Sequence, residues 1–60
     1  MIYNIIMQCE TPYVEFIIWV YYDINEAYHA LTRVIERDTS DKYFYFVREA
    51  RSREEAIHAV

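Results

Sequence analysis

The chain has no glycine, one proline and one cysteine in 60 residues. Without glycine there is no Gly-rich phosphate loop of the kind that cradles a nucleotide. A single cysteine, Cys9, excludes an intramolecular disulfide and a four-cysteine zinc site. Chains of this length bury only about 60% of the surface that their unfolded form exposes. Small domains usually offset that shortfall with disulfides, a metal or a second subunit. Basic residues are also scarce, six Lys and Arg against ten Asp and Glu, for a net charge of −4. General binding to nucleic-acid phosphates draws its affinity from charge neutralisation and needs the opposite balance. The longest apolar run, residues 16–22, falls far short of the roughly 20 residues of a membrane helix. No basic segment followed by an apolar one marks a signal peptide. These absences predict one soluble, cytoplasmic domain over residues 1–60, with no membrane contact.

Apolar residues, by contrast, are abundant: 55% of the chain is hydrophobic and 18% aromatic, more than a core of this size can take in. Residues 1–9 read as a first strand, rich in Ile with Tyr and Met. A turn follows at Glu10-Thr11-Pro12-Tyr13, where proline fixes its own φ and restricts its neighbour. Residues 14–22 form the strongest strand signal, dense in β-branched and aromatic residues. Its two alternating sets are Phe16, Ile18, Val20, Tyr22 and Glu15, Ile17, Trp19, Tyr21. Both are largely apolar, which predicts a strand buried on both faces.

Asp23-Ile24-Asn25-Glu26 has the form of a capping box and predicts a helix start. Ile24, Ala27, Tyr28, Leu31, Val34 and Ile35 then keep helical spacing and are the expected buried face. Asn25, Glu26, His29, Arg33, Glu36 and Arg37 take the other side, with the arginines toward the C-terminus, where cations suit the helix dipole. After a polar loop, residues 42–49 read as a third strand. Ser52-Arg53-Glu54-Glu55 opens a short second helix reaching Val60, with Ala56, Ile57 and Val60 as its apolar side. The predicted fold is α+β, a small three-stranded sheet in the order β-β-α-β-α, with the main helix on one sheet face.

NEAYHAL (residues 25–31) and EEAIHAV (residues 54–60) echo each other at an offset of 29 residues. A Glu-Ala start after a cap is common in helices and accounts for the echo without a repeat architecture. It also places Glu26 with His29 and Glu55 with His58, the Glu-x-x-His spacing of di-iron bundles. Those sites need long inward-facing helices and further carboxylates, so solvated pairs are expected and no metal or cofactor is predicted. Ser40 and Ser52 suit turn and cap roles, and Asp38 and Asp41 share an acidic loop. No nucleophile–base arrangement is visible, and the chain reads as non-enzymatic.

Lys42-Tyr43-Phe44-Tyr45-Phe46-Val47 resembles the core of the RNA-recognition-motif signature, where two aromatics stack bases on an open sheet. Phe44 and Phe46 take the aromatic places. Tyr43 and Tyr45 stand where that family has small residues, and the order of elements differs. The resemblance implies single-stranded nucleic-acid binding, with Arg48, Arg51 and Arg53 as the nearest basic cluster; the acidic charge speaks against it.

Strands apolar on both sides, in a chain too small to cover two sheet faces, leave aromatic residues over. Trp19, Tyr21, Phe44 and Phe46 are the candidate interface residues, because contiguous apolar patches mark contacts and Tyr and Trp are enriched at hot spots. The expected function is a binding module of the regulator or inhibitor type, acting on a protein partner. By association it is akin to compact accessory proteins of phages and mobile elements. It is expected to be a homodimer joined by the sheet face that the main helix leaves bare, or by edge strands. The alternatives are nucleic-acid binding through the aromatic face and a structural subunit of a larger complex.

Overall fold

A computed structural model describes residues 1–10 and 14–58 of the chain. In chain order they form β1 (Tyr3–Glu10), β2 (Val14–Tyr21), α1 (Ile24–Arg37), β3 (Tyr43–Ala50) and α2 (Arg53–His58). This is the expected α+β order. Glu10 of the expected turn is the last residue of β1; the rest of that turn, 11–13, and the last two residues of the second helix lie outside the described residues.

The strands are arranged β2-β1-β3, with β1 antiparallel to both neighbours. β2 and β3 therefore run in the same direction on either side of β1, and α1 connects one edge to the other. The strand buried on both faces is β1, not β2. Asn4, Ile5, Ile6, Met7 and Cys9 are buried, and Ile5, Ile6 and Met7 have no exposed surface. β2 lies at an edge and leaves Phe16 48% and Trp19 59% exposed.

Strict alternation also fails in β2. Ile6 pairs with Trp19 and Met7 with Ile17, so Ile18 has no opposite number on β1. One extra residue in one strand is a β-bulge, and a shift of one residue exchanges the faces. Val20 and Ile17 consequently share the face of Ile5 and Met7. Tyr21, Trp19 and Phe16 share the face of Asn4, Ile6 and Gln8. The two sets expected from alternation exchange members at Ile18.

α1 lies on the face of Ile6, where it contacts all three strands and β3 most extensively. It docks through Ala27 and Ala30, which are buried, with Leu31 and Val34 half-buried. Small side chains let the helix backbone come close to the sheet. Ile24, Tyr28 and Ile35, expected to be buried, lie about 90° around the helix from that stripe at ~100° per residue. They remain 39%, 53% and 51% exposed.

Both helices begin where the capping patterns place them. The Asp23 carboxylate accepts from the Asn25 N–H at 3.2 Å. The Ser52 hydroxyl accepts from the Glu55 N–H at 3.0 Å, and the Glu55 carboxylate accepts from the Arg51 N–H at 3.0 Å. Between α1 and β3, Asp41 adopts φ 59°. A chain without glycine must fill that left-handed position with another residue, and Asp is among the few that tolerate it.

α2 lies on the opposite face, where Ala56 and Ala50 pack with Ile5 and Met7, flanked by Tyr3, Ile17, Val20 and Phe46. The two strand–helix units thus flank β1 on opposite sides and place their helices on opposite faces. Ala27 and Ala56, equivalent positions of the sequence echo, are both completely buried. The echo marks one packing role used twice.

Candidate interface surfaces

The four candidate interface residues fall on two faces. Trp19 and Tyr21 stand on the α1 side of β2. There they line a shallow depression with Ala30, Arg33, Val34 and Arg37. Trp19 is largely exposed and Tyr21 half-buried. Phe44 and Phe46 stand on the α2 side of β3, opposite Cys9 and Met7. They are close to each other and far from forming one patch with Trp19.

Phe44, Phe46 and Arg48 form a ladder along β3. The two rings stack with centroids 6.2 Å apart and planes 23° from parallel. The Arg48 guanidinium lies 5.1 Å from the Phe46 centroid and donates to the Ala56 carbonyl. That carbonyl is near the C-terminal end of α2, so the cation also faces the negative end of the helix. Phe46 is therefore engaged on both sides by its own strand, and Phe44 is the exposed end of the ladder at 57%. Two rings free to receive bases, as the resemblance to RNA-binding sheets implies, are not present here.

The face away from α1 is not bare at its middle. α2 stands there, and Ile5, Met7 and Cys9 beneath it are buried. Its open part is the end marked by Phe44.

A third surface was missed by the reading of helical spacing. Ile24, Tyr28 and Ile35 make an exposed apolar ridge along α1. Ile35 helps line a depression with Asp38, Asp41, Tyr43, Phe44 and Tyr45, which places the ridge on the β3 side of the helix. The opposite flank, toward β2, carries Arg33 and Arg37. The buried alanines are the signal that could have revealed it. Ala27 and Ala30 mark the line of closest approach, and the larger apolar residues then lie beside that line.

A polar tie closes the end of the α1–β3 groove. The Tyr45 hydroxyl accepts from the Gln8 amide at 3.3 Å and donates to the Asp38 carboxylate at 2.5 Å. Asp38, the residue capping the C-terminus of α1, also accepts from the Ser40 hydroxyl at 2.6 Å and the Ser40 N–H at 2.9 Å. Hydrogen bonds from the Ser40 hydroxyl, then Tyr45, then the Ser40 backbone hold the Asp38 carboxyl below its usual 3.8. Desolvation, then the bond to Asp38, raises the Tyr45 phenol above its usual 10.0.

The signs of these shifts fix two pH limits. A lowered carboxyl contributes stability above its unfolded value and loses it as pH falls through the folded value, below about 4. A raised phenol contributes below its unfolded value and loses it as pH rises beyond about 10. Ser40→Ala is expected to flatten the acid limb of the urea-midpoint profile by more than Tyr45→Phe does. Tyr45→Phe alone should flatten the alkaline limb. Superimposable acid limbs for all three proteins would refute the Asp38 assignment.

The remaining candidates do not assemble into chemistry. Glu26, His29, Glu55 and His58 are exposed, and no group of three or more His, Cys, Asp or Glu able to hold a metal occurs among the described residues. No described helix is long and apolar enough to cross a membrane. Comparison of the chain with models of protein families, with curated proteins and with solved structures finds no match.

Proposed function

We propose that the chain is a non-enzymatic binding module of the cytoplasm, a regulator or inhibitor that acts through protein–protein contacts and works as a homodimer. The observation that supports this is the amount of large apolar side chain left outside a thin slab of 34 × 24 × 12 Å. Trp19, Phe44, Tyr28, Ile35 and Phe16 are each between 48% and 59% exposed. They are distributed over both outer strands and one helix flank. Scattered apolar residues are normal on any surface, but rows of them along single elements mark contact surfaces. Trp and Tyr supply rigid contact area at little entropic cost, which suits them to recognition.

The reading is tested by photo-crosslinking in the native host. A benzophenone amino acid in place of Trp19 or Phe44 should give a discrete adduct to another protein, and one at Thr39, in the exposed loop, should not. No protein adduct from either position would overturn the reading. So would retention on single-stranded DNA that weakens steeply with salt and is lost in Phe44→Ala, since that is the behaviour of a nucleic-acid binder.

A further inference from the structure

We infer that two copies join antiparallel through the β3 edges and the α1 ridges, giving one continuous sheet ordered β2-β1-β3-β3-β1-β2. This rests on the reading of the chain as a homodimer and names the surface that makes it. The two free edges of the sheet differ. β2 is interrupted by the bulge at Ile18, and bulges are one way in which edge strands are kept from pairing. β3 pairs with β1 through eight consecutive residues, Tyr3 with Ala50 to Glu10 with Tyr43, without a shift. Its outer side is a straight row of backbone donors and acceptors with no partner strand among the described residues.

The exposed ridge stands beside that same edge. α1 contacts all three strands and β3 most extensively, so its β3 flank is the side turned toward a copy paired across that edge. A second copy across this edge turns Ile24, Tyr28 and Ile35 toward the same ridge of the partner, running the other way. A bare peptide strand would pair with β3 and leave the ridge exposed.

Register and area agree with a self-contact. With Phe46 opposite its own copy, Tyr43 stands across from the partner's Glu49 and Phe44 across from the partner's Arg48. One strand edge and one helix ridge would bury on the order of 600 Å² per copy, near the lower bound of a standard interface. That is about an eighth of the 4698 Å² surface.

Light scattering coupled to size exclusion, across the micromolar range, is the test. The wild type should be a dimer. Tyr28→Glu and Ile35→Glu should each raise the dissociation constant by about 30-fold or more, as loss of a hot spot does. Phe16→Glu, on the β2 side, should leave the dimer intact. Because a charged variant can fail to fold, amide exchange on the wild type gives a second readout. The β3 amides that point away from β1 should be protected at dimer concentrations and exchange faster on dilution. A dimer that survives both ridge substitutions, or β3 amides indifferent to dilution, overturns this geometry and leaves the homodimer standing. A wild-type monomer overturns both.

Discussion

Ile5→Ala and Ile6→Ala are each expected to remove a large share of the protein's stability, although they lie side by side and face different helices. Both side chains are completely buried. Truncating a buried isoleucine to alanine costs about 2–5 kcal/mol, from lost transfer energy and the cavity left behind. A chain of 60 residues has roughly 3–9 kcal/mol of stability to lose. Ile5 supports the α2 face through Ala56 and Ala50, and Ile6 supports the α1 face. Either loss opens the whole sheet, because β1 is the strand that both neighbours pair with. Phe16→Ala, at the β2 edge, removes a larger side chain that is already about half in water, and should cost only about 1 kcal/mol by area. Urea titration followed by circular dichroism and Trp19 fluorescence gives the comparison. A larger loss from Phe16→Ala than from Ile5→Ala would contradict the central place of β1.

That ranking is the reverse of the one suggested by hydrophobicity along the chain, and the reason is physical. Composition shows that a segment is apolar but not which neighbours pair with it. β2 is apolar at both parities because the bulge at Ile18 exchanges them, so the strand spends apolar residues on each face in turn. β1, with Asn4 and Gln8 in its run, looks less buried than it is. Those two polar groups are accommodated by bonds to distant segments, from the Asn4 amide to the Tyr22 carbonyl at 3.1 Å and from the Gln8 amide to the Tyr45 hydroxyl at 3.3 Å. Such long-range partners leave no local signature. The caps at Asp23 and Ser52 do leave one, since each bonds a backbone N–H within three residues, and both helix starts were legible. Among the candidate interface residues, the exposure of Trp19 and Phe44 followed from excess aromatic content. Their separation onto opposite faces did not, because it depends on the bulge. The α1 ridge was hidden by the ordinary expectation that every apolar residue on a helical stripe is buried.

Ala27→Leu and Ala56→Leu should each destabilise the protein by about 1–3 kcal/mol, the usual effect of forcing extra methylenes into a packed site. Alanine and leucine differ little as helix formers, so such a loss would report packing and not helix propensity. Both alanines have no exposed surface, and each stands where a helix meets the sheet. The two substitutions should then part company in the dimer. Ala27→Leu lifts α1, displaces the ridge formed by Ile24, Tyr28 and Ile35, and should weaken self-association along with folding. Ala56→Leu disturbs the opposite face, where α2 packs against Phe46, leaves the α1 ridge in place, and should weaken the dimer less than Ala27→Leu once measured on folded protein. Sedimentation equilibrium under conditions that keep both variants folded distinguishes them. Equal weakening of the dimer by the two leucines would mean that self-association does not depend on the position of α1.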